Sequence, residues 1–161
     1  KEMERRYLMR RRDREITEKS VLETIIMKSV VCRLAFVDGN RPYMVPLNFG
    51  YRDNTLYFHS APVGKKIEII KLDPNVCFEF DIHTTPVEAE EACAWSMNYQ
   101  SVIGFGKARI LEDDQEKRTA LSIIMQHYSG RDFHVPETEL LRVAAFKVEI
   151  ESMTGKQSGQ L

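Results

Sequence analysis

The spacing of apolar residues changes period along the chain. Between Thr17 and about Lys28, Val21, Leu22, Ile25 and Ile26 recur at helical spacing, which predicts one amphipathic helix with Thr17 as its N-cap. From Val30 the period falls to two. Val30 to Val37 is rich in β-branched and aromatic residues and ends at a turn signal, Asp38-Gly39-Asn40. Tyr43, Val45, Leu47 and Phe49 then alternate with Met44, Pro46 and Asn48, so the two runs predict a hairpin. Pro46 has no N–H to give a ladder, which puts its strand at a sheet edge or at a bulge. Arg52-Asp53-Asn54 turns the chain into a third strand, Thr55 to Ser60, and three strands in succession predict a meander.

A short helix is expected over Lys65 to Leu72, burying Ile67, Ile69 and Ile70 and ended by Asp73-Pro74-Asn75. Val76 to Asp81 reads as a fourth strand, His83 to Ala94 as an acidic connector, and Trp95 to Leu111 as a long fifth strand. Gly104 and Gly106, two apart in that strand, suggest a sharp bend or bulge. Glu112 to Tyr128 is a second amphipathic helix closed by Ser129-Gly130, and Arg142 to Glu151 a last strand. Six strands with short flanking helices and no βαβ alternation predict a mainly β (α+β) protein, a six-stranded antiparallel split or closed barrel rather than a doubly wound fold.

Composition narrows the classes. At 161 residues, 43% hydrophobic and 29% charged, the chain has the make-up of one globular domain. Residues 1–16 form a charged arm, with Arg5, Arg6, Arg10, Arg11, Arg12 and Arg14 interspersed with Glu2, Glu4 and Asp13; residues 17–161 form the folded domain. The interspersed acids and a formal net charge of -1 argue against a nucleic-acid partner. No apolar run approaches the ~20 residues a membrane helix needs, and Lys1 to Arg14 lacks the apolar core of a leader, so a cytoplasmic location is expected. Cys32, Cys77 and Cys93 are far apart and form no C-x-x-C pair, which predicts free thiols and no metal. His83, His127 and His134 have no partners at ligand spacing.

The stretch richest in chemistry is Leu56-Tyr-Phe-His59-Ser60-Ala61-Pro62-Val63-Gly64-Lys65-Lys66. A strand ends in Ser60, turns through Pro and Gly, and starts a helix with two lysines. The first turn of a helix presents unpaired N–H groups and the positive end of its dipole, where cations are ordinarily unfavourable and anions are stabilised. A bound phosphate would account for the lysines, with Ser60 and backbone amides as directional donors. Two solvated lysines at a loosely defined helix start fit the spacing equally well. Gly104-Phe-Gly106 is no dinucleotide fingerprint, because it lies within a strand.

Taken in order, Met9-Arg-Arg-Arg-Asp-Arg-Glu-Ile-Thr17, Val45-Pro-Leu-Asn-Phe-Gly50, Leu56-Tyr-Phe-His-Ser-Ala61, Gly64-Lys-Lys66, Tyr99-Gln-Ser-Val-Ile-Gly104 and Met153-Thr-Gly-Lys156 resemble the nitroimidazole-resistance (Nim) branch of the pyridoxamine-phosphate-oxidase-like flavoproteins. The resemblance spans nearly the whole chain and rests on the ordered set rather than on any single motif. It implies a homodimer with two FMN molecules, or another flavin, at the subunit interface. Met44, Val45, Pro46, Leu47 and Asn48 would run along the isoalloxazine. His59, Ser60 and Ala61 would line the ribityl chain and phosphate, and Lys65 and Lys66 would neutralise the phosphate. Tyr99, Ser101 and Val102 would approach the ring, in part from the other subunit. His59 is the candidate catalytic residue, orienting substrate or handling a proton; a histidine that only packs and hydrogen-bonds is the competing reading. The oxidases proper end in an arginine- and histidine-bearing segment, and Met153-Thr-Gly-Lys-Gln-Ser-Gly-Gln-Leu161 has none, so oxidation of vitamin B6 is not expected.

These readings predict an FMN-dependent reductase of small electron-poor nitro compounds. A flavin carrier without turnover, a haem-binding split barrel using His59 or His127, and a nucleic-acid-binding barrel are the alternatives.

Overall fold

Eight strands, not six, build one antiparallel sheet in the computed structural model, which describes residues 10–159. They are β1 (Glu15–Ile16), β2 (Cys32–Asp38), β3 (Arg41–Leu47), β4 (Gly50–Arg52), β5 (Thr55–Ser60), β6 (Asn75–Val87), β7 (Ser96–Leu111) and β8 (Ala144–Ser158). The helices are α1 (Lys19–Lys28), α2 (Lys65–Leu72), α3 (Asp114–Ser129) and α4 (Glu137–Leu140). Strand order is β3-β2-β6-β7-β8-β5-β4, with β1 on β8.

The two added strands, β1 and β4, are two and three residues long, too short to carry a period. The expected meander stops after the β2–β3 hairpin, because β5 pairs with β4 and β8 and not with β3. The second strand ends at Leu47 rather than Phe49. Much of the expected acidic connector is sheet: β6 continues to Val87 across an irregularity between Ile82 and Thr85, where His83 takes φ 57°. Thr17 is not the cap of α1; Glu18 occupies that position and makes no side-chain capping bond. The start of α3 is capped by Asp113, which accepts from the Glu116 N–H at 2.9 Å.

Consecutive strands form the two ends of this sheet, and that determines its shape. Only Asn48 and Phe49 separate β3 from β4, so Leu47 and Gly50 lie within about 11 Å at 3.8 Å per residue. A flat sheet in this order would hold the outer strands about 29 Å apart. The sheet therefore rolls up until its edges nearly meet, leaving a seam that no β3–β4 ladder closes. The last turn of α3 fastens this seam. The Tyr128 hydroxyl accepts from the Phe49 N–H at 3.1 Å and donates to the Val30 carbonyl at 2.8 Å. His127 Nε2 donates to the Ser29 carbonyl at 2.9 Å.

Inside the roll lie Leu34, Phe36, Leu56, Phe58, Phe78, Phe80, Phe146 and Val148, joined by Leu22, Ile25 and Ile26 of α1 and Ile67, Ile69 and Ile70 of α2. A smaller cluster of Leu111, Ala120 and Ala145 packs under α3 with Tyr57, so α3 covers the outer face of β4, β5 and the start of β8. Gly104 and Gly106 act through close approach. The Phe78 ring occupies the space a Gly104 side chain would need, and the Glu149 carbonyl does so at Gly106, beside a register shift in the β7–β8 ladder. Gly104→Ala is expected to lower stability by about 1–3 kcal/mol, because Phe78 is fully buried and has nowhere to move. Thermal melting checks this, and an unchanged midpoint would mean the ring yields. Cys32, Cys77 and Cys93 are free thiols, buried, half-buried and exposed respectively.

Candidate functional site

The turn from β5 into α2 holds the densest set of site residues. Residues 61–64 are exposed, and Gly64, at φ 138° in a region that L side chains rarely enter, starts the helix without a side-chain cap. The Ile67 and Glu68 N–H groups both reach the Gly64 carbonyl, at 3.0 and 3.2 Å, so the amides of Lys65 and Lys66 precede the first intrahelical bond. Ser60 Oγ donates to the Ala61 carbonyl at 3.1 Å. Lys65 reaches back to the β2–β3 hairpin, its ammonium 2.7 Å from Asp38 and 4.7 Å above the Tyr43 ring. The Asp38 hydrogen bond raises the Lys65 pKa. Lys66 is half-buried and makes no ion pair among the described residues. An anion here would meet free amides, an uncommitted Lys66, and a Lys65 shared with Asp38. This donor set fits a phosphate. Asp38 and Tyr43 were missed in the sequence, because a contact between residues 38 and 65 leaves no trace in local spacing.

β3 and Asn48, which follows it, divide the five expected residues between two faces. Val45 and Leu47 are half-buried against the core, whereas Met44, Pro46 and Asn48 are exposed on the opposite side. Pro46 lies on an edge strand, as its missing donor requires. Across the outer face, Pro46 pairs with Arg33, Arg33 with Glu79 and Glu79 with Ile103. Arg33 grips Glu79 at 2.9 Å and also Asp81, so these two carboxylates are tied to a guanidinium rather than simply solvated. Burial raises the Glu79 pKa against the opposing pull of Arg33.

On β7, Tyr99 and Ser101 are half-buried on this outer face, but Val102 is fully buried, so only its backbone could meet a ligand. Three strand spacings, about 14 Å, separate β3 from β7. One protomer thus presents the two sets as separate walls. No helix covers the face between them, where Val37, Met44, Ile103 and Phe105 are partly exposed. A cleft of about 380 Å³ at its hairpin end is lined by Ala35, Val37, Pro42, Cys77 and Phe105 and includes none of the expected site residues.

His59 pairs with Ala145 on the face of β5 that carries Tyr57, beneath α3. By strand alternation it points away from its neighbour Ser60. Its Nδ1 is buried without a hydrogen-bond partner among the described residues. Burial lowers the His59 pKa below its ordinary 6.5. The unfolded chain therefore takes up this proton first as pH falls. The histidine's contribution to stability is full above about pH 6.5 and declines below it, toward the folded pKa. Lowering pH from about 7.5 to about 5 should reduce the melting temperature of the wild type more than that of His59→Asn. Parallel curves would show that His59 titrates as in the unfolded chain.

Among the described residues no group of three His, Cys, Asp or Glu is placed to hold a metal ion, and no helix is long and apolar enough to cross a membrane.

Residues 18–157 match the protein family described as pyridoxamine 5'-phosphate oxidase. Among solved structures, the chain is similar to a candidate 5-nitroimidazole antibiotic resistance protein from Bacteroides thetaiotaomicron, at 39% identity and a TM-score of 0.79 over 88% of this chain and 85% of that one. It shares its fold with the flavocytochrome Anf3 from Azotobacter vinelandii (17% identity, TM-score 0.83, 97% of this chain and 74% of that one). It likewise shares it with the FAD and heme binding protein from Mycobacterium smegmatis (18%, 0.82, 91% and 74%). No curated protein matches the chain.

Proposed function

Because the chain belongs to the pyridoxamine 5'-phosphate oxidase family, we propose that it is an FMN-binding flavoprotein that works as a homodimer and reduces small electron-poor nitro compounds. The observation that carries this reading is the β5–α2 turn, where free amides, Lys65 and Lys66 gather at a helix start beside an outer sheet face that no helix covers. The 39%-identical relative, a candidate nitroimidazole-resistance protein, supports the substrate class.

In this reading Lys65, Lys66, Ser60 and the first amides of α2 hold the phosphate, and β3 offers Met44, Pro46 and Asn48 to the ring. The 14 Å between β3 and β7 is the reason for a second copy: Tyr99 and Ser101 of one protomer would border the flavin held by its partner. The flavin, when bound, supplies the redox chemistry, while the protein binds and orients it. His59 lies beneath α3 on the opposite face of β5 from Ser60, so a proton-handling or orienting role for it would require substrate or ring to reach that face. In that role His59→Ala lowers turnover of a nitro substrate more than FMN affinity, and equal losses would reduce it to a wall of the pocket.

Haem is a second reading, favoured by the two flavin- and haem-binding proteins of the same fold. Against His127 as its axial ligand stand the Nε2 bond to Ser29 and the buried Nδ1. The deciding measurement is the visible absorption spectrum of purified protein before and after adding FMN and removing the excess. A retained two-banded flavin spectrum supports the proposal. A protein that retains no FMN but gives a Soret band with hemin replaces it by the haem reading.

A further inference from the structure

The two ends of the described chain meet at one corner of the sheet. Glu15 and Ile16 pair with Lys156 and Gly155, and Lys156 pairs in turn with Ser101. A side chain at Gly155 would meet Leu22 and Ile16, so residues 16 and 155 face inward. Glu15, Lys156 and Ser101 therefore share the outer face. Ahead of β1, a 3-10 turn at Arg12–Arg14 places an arginine-rich run at the same corner. Arg11 is held by Asp13 through bonds of 2.9 and 2.6 Å.

Among the described residues of this corner, five cations (Arg10, Arg11, Arg12, Arg14 and Lys156) thus stand against two carboxylates, Asp13 and Glu15. Arg10, Arg12, Arg14 and Lys156 make no ion pair with any described residue. That is unlike the rest of β7 and β8, where Lys107 pairs with Glu151, Arg109 with Glu116 and Lys147 with Glu149. Lys156 is half-buried, and Glu15 sits opposite it across the ladder without closing an ion pair. A partly desolvated ammonium beside a serine hydroxyl and uncommitted guanidiniums is a poor arrangement for the empty corner and a good one for an anion.

We propose that this corner docks the phosphate groups of the electron donor, a phosphate-bearing carrier of reducing equivalents whose reactive end lies toward Tyr99 and Ser101. The proposal rests on the reading that Tyr99 and Ser101 border the flavin; it adds the chemical class of the reductant, which a nitro reductase requires and no sequence motif identifies. The arginine run, so far an arm without a role, becomes part of the site.

The test uses the full chain loaded with FMN, so that the phosphate place at the β5–α2 turn is filled, and inorganic tripolyphosphate as the probe in isothermal titration. The wild type should bind the probe, more weakly as salt is raised. Arg10→Ala/Arg12→Ala/Arg14→Ala with Lys156→Gln should bind it roughly tenfold less tightly, the sum of several exposed charge contacts. Lysine at the three arginine positions should restore much of the affinity, and the melting temperature of each variant checks that it folds. Equal affinity in wild type and alanine variant would overturn the proposal. So would release of FMN during titration, which would put the anion at the β5–α2 turn. FMN-loaded protein that binds no probe would sink the corner and leave the flavin reading intact. A chain that retains no FMN would remove the flavin reading and the docking role together.

Discussion

Replacing Lys65 and Lys66 together with alanine is expected to weaken FMN binding by about 2–4 kcal/mol, some thirtyfold to a thousandfold in Kd, read by flavin fluorescence titration. The two lysines should not contribute equally. A charge-assisted bond to a phosphate is worth about 1.5–3 kcal/mol, but Lys65 is exposed and already satisfied by Asp38 and the Tyr43 ring. Solvent screening and the loss of that partner on turning to a ligand discount its share. Lys66 is half-buried and uncommitted, so Lys66→Ala alone should account for most of the effect. Asp38→Asn should tighten FMN slightly by releasing Lys65. An unchanged Kd in the double variant would remove the phosphate assignment while leaving the fold as it is.

Phe49→Ala is expected to cost about 3–5 kcal/mol of stability, the range for removing a fully buried phenylalanine. In a domain of this size that lowers the melting temperature by roughly 6–20 °C. The ring lies 4.8 Å from Phe80 and 4.4 Å from the His127 imidazole, centroid to centroid, with Tyr128 edge-on to it. Its backbone N–H is one of the bonds that fasten the seam. Alanine keeps that N–H, so the substitution empties the cluster and weakens the link at Asn48 only through the packing lost behind it. FMN affinity should fall with stability. A small change in melting temperature would mean that the cluster collapses around the gap.

The elements with a strong period were legible in the sequence: the β2–β3 hairpin, β5, α2 with both its ends, and the irregularity of the long strand, whose register shifts between Phe105 and Gly106. β1 and β4 were not, because a pair of residues added to an existing edge depends on the edge and not on its own pattern. The acidic run 88–91 hid the far end of β6, since its strand residues Thr84 to Val87 face water and alternate weakly. In the site, the helix-start lysines were visible because they contradict the dipole rule. The attachment of Lys65 to Asp38 and Tyr43, the Arg33 clasp on Glu79 and Asp81, and the corner where Glu15 pairs with Lys156 all join residues far apart in the chain. Only the strand order brings those residues together.

The placement of prolines on β3 has one more consequence. Pro42 and Pro46 stand opposite Val37 and Arg33, and with Met44 opposite Ala35 these positions share one parity of the ladder. A residue without an N–H cannot belong to a hydrogen-bonded pair, so the backbone groups of residues 42, 44 and 46 point away from β2, toward the open side. That side offers three carbonyls and a single amide, from Met44. A strand from another molecule would need alternating donors and would find two of three absent, so the edge resists intermolecular sheet growth. A flat heterocycle with one or two polar atoms needs far fewer. In the flavin reading, the same pair of prolines that hinders sheet growth would leave this edge open to the ring.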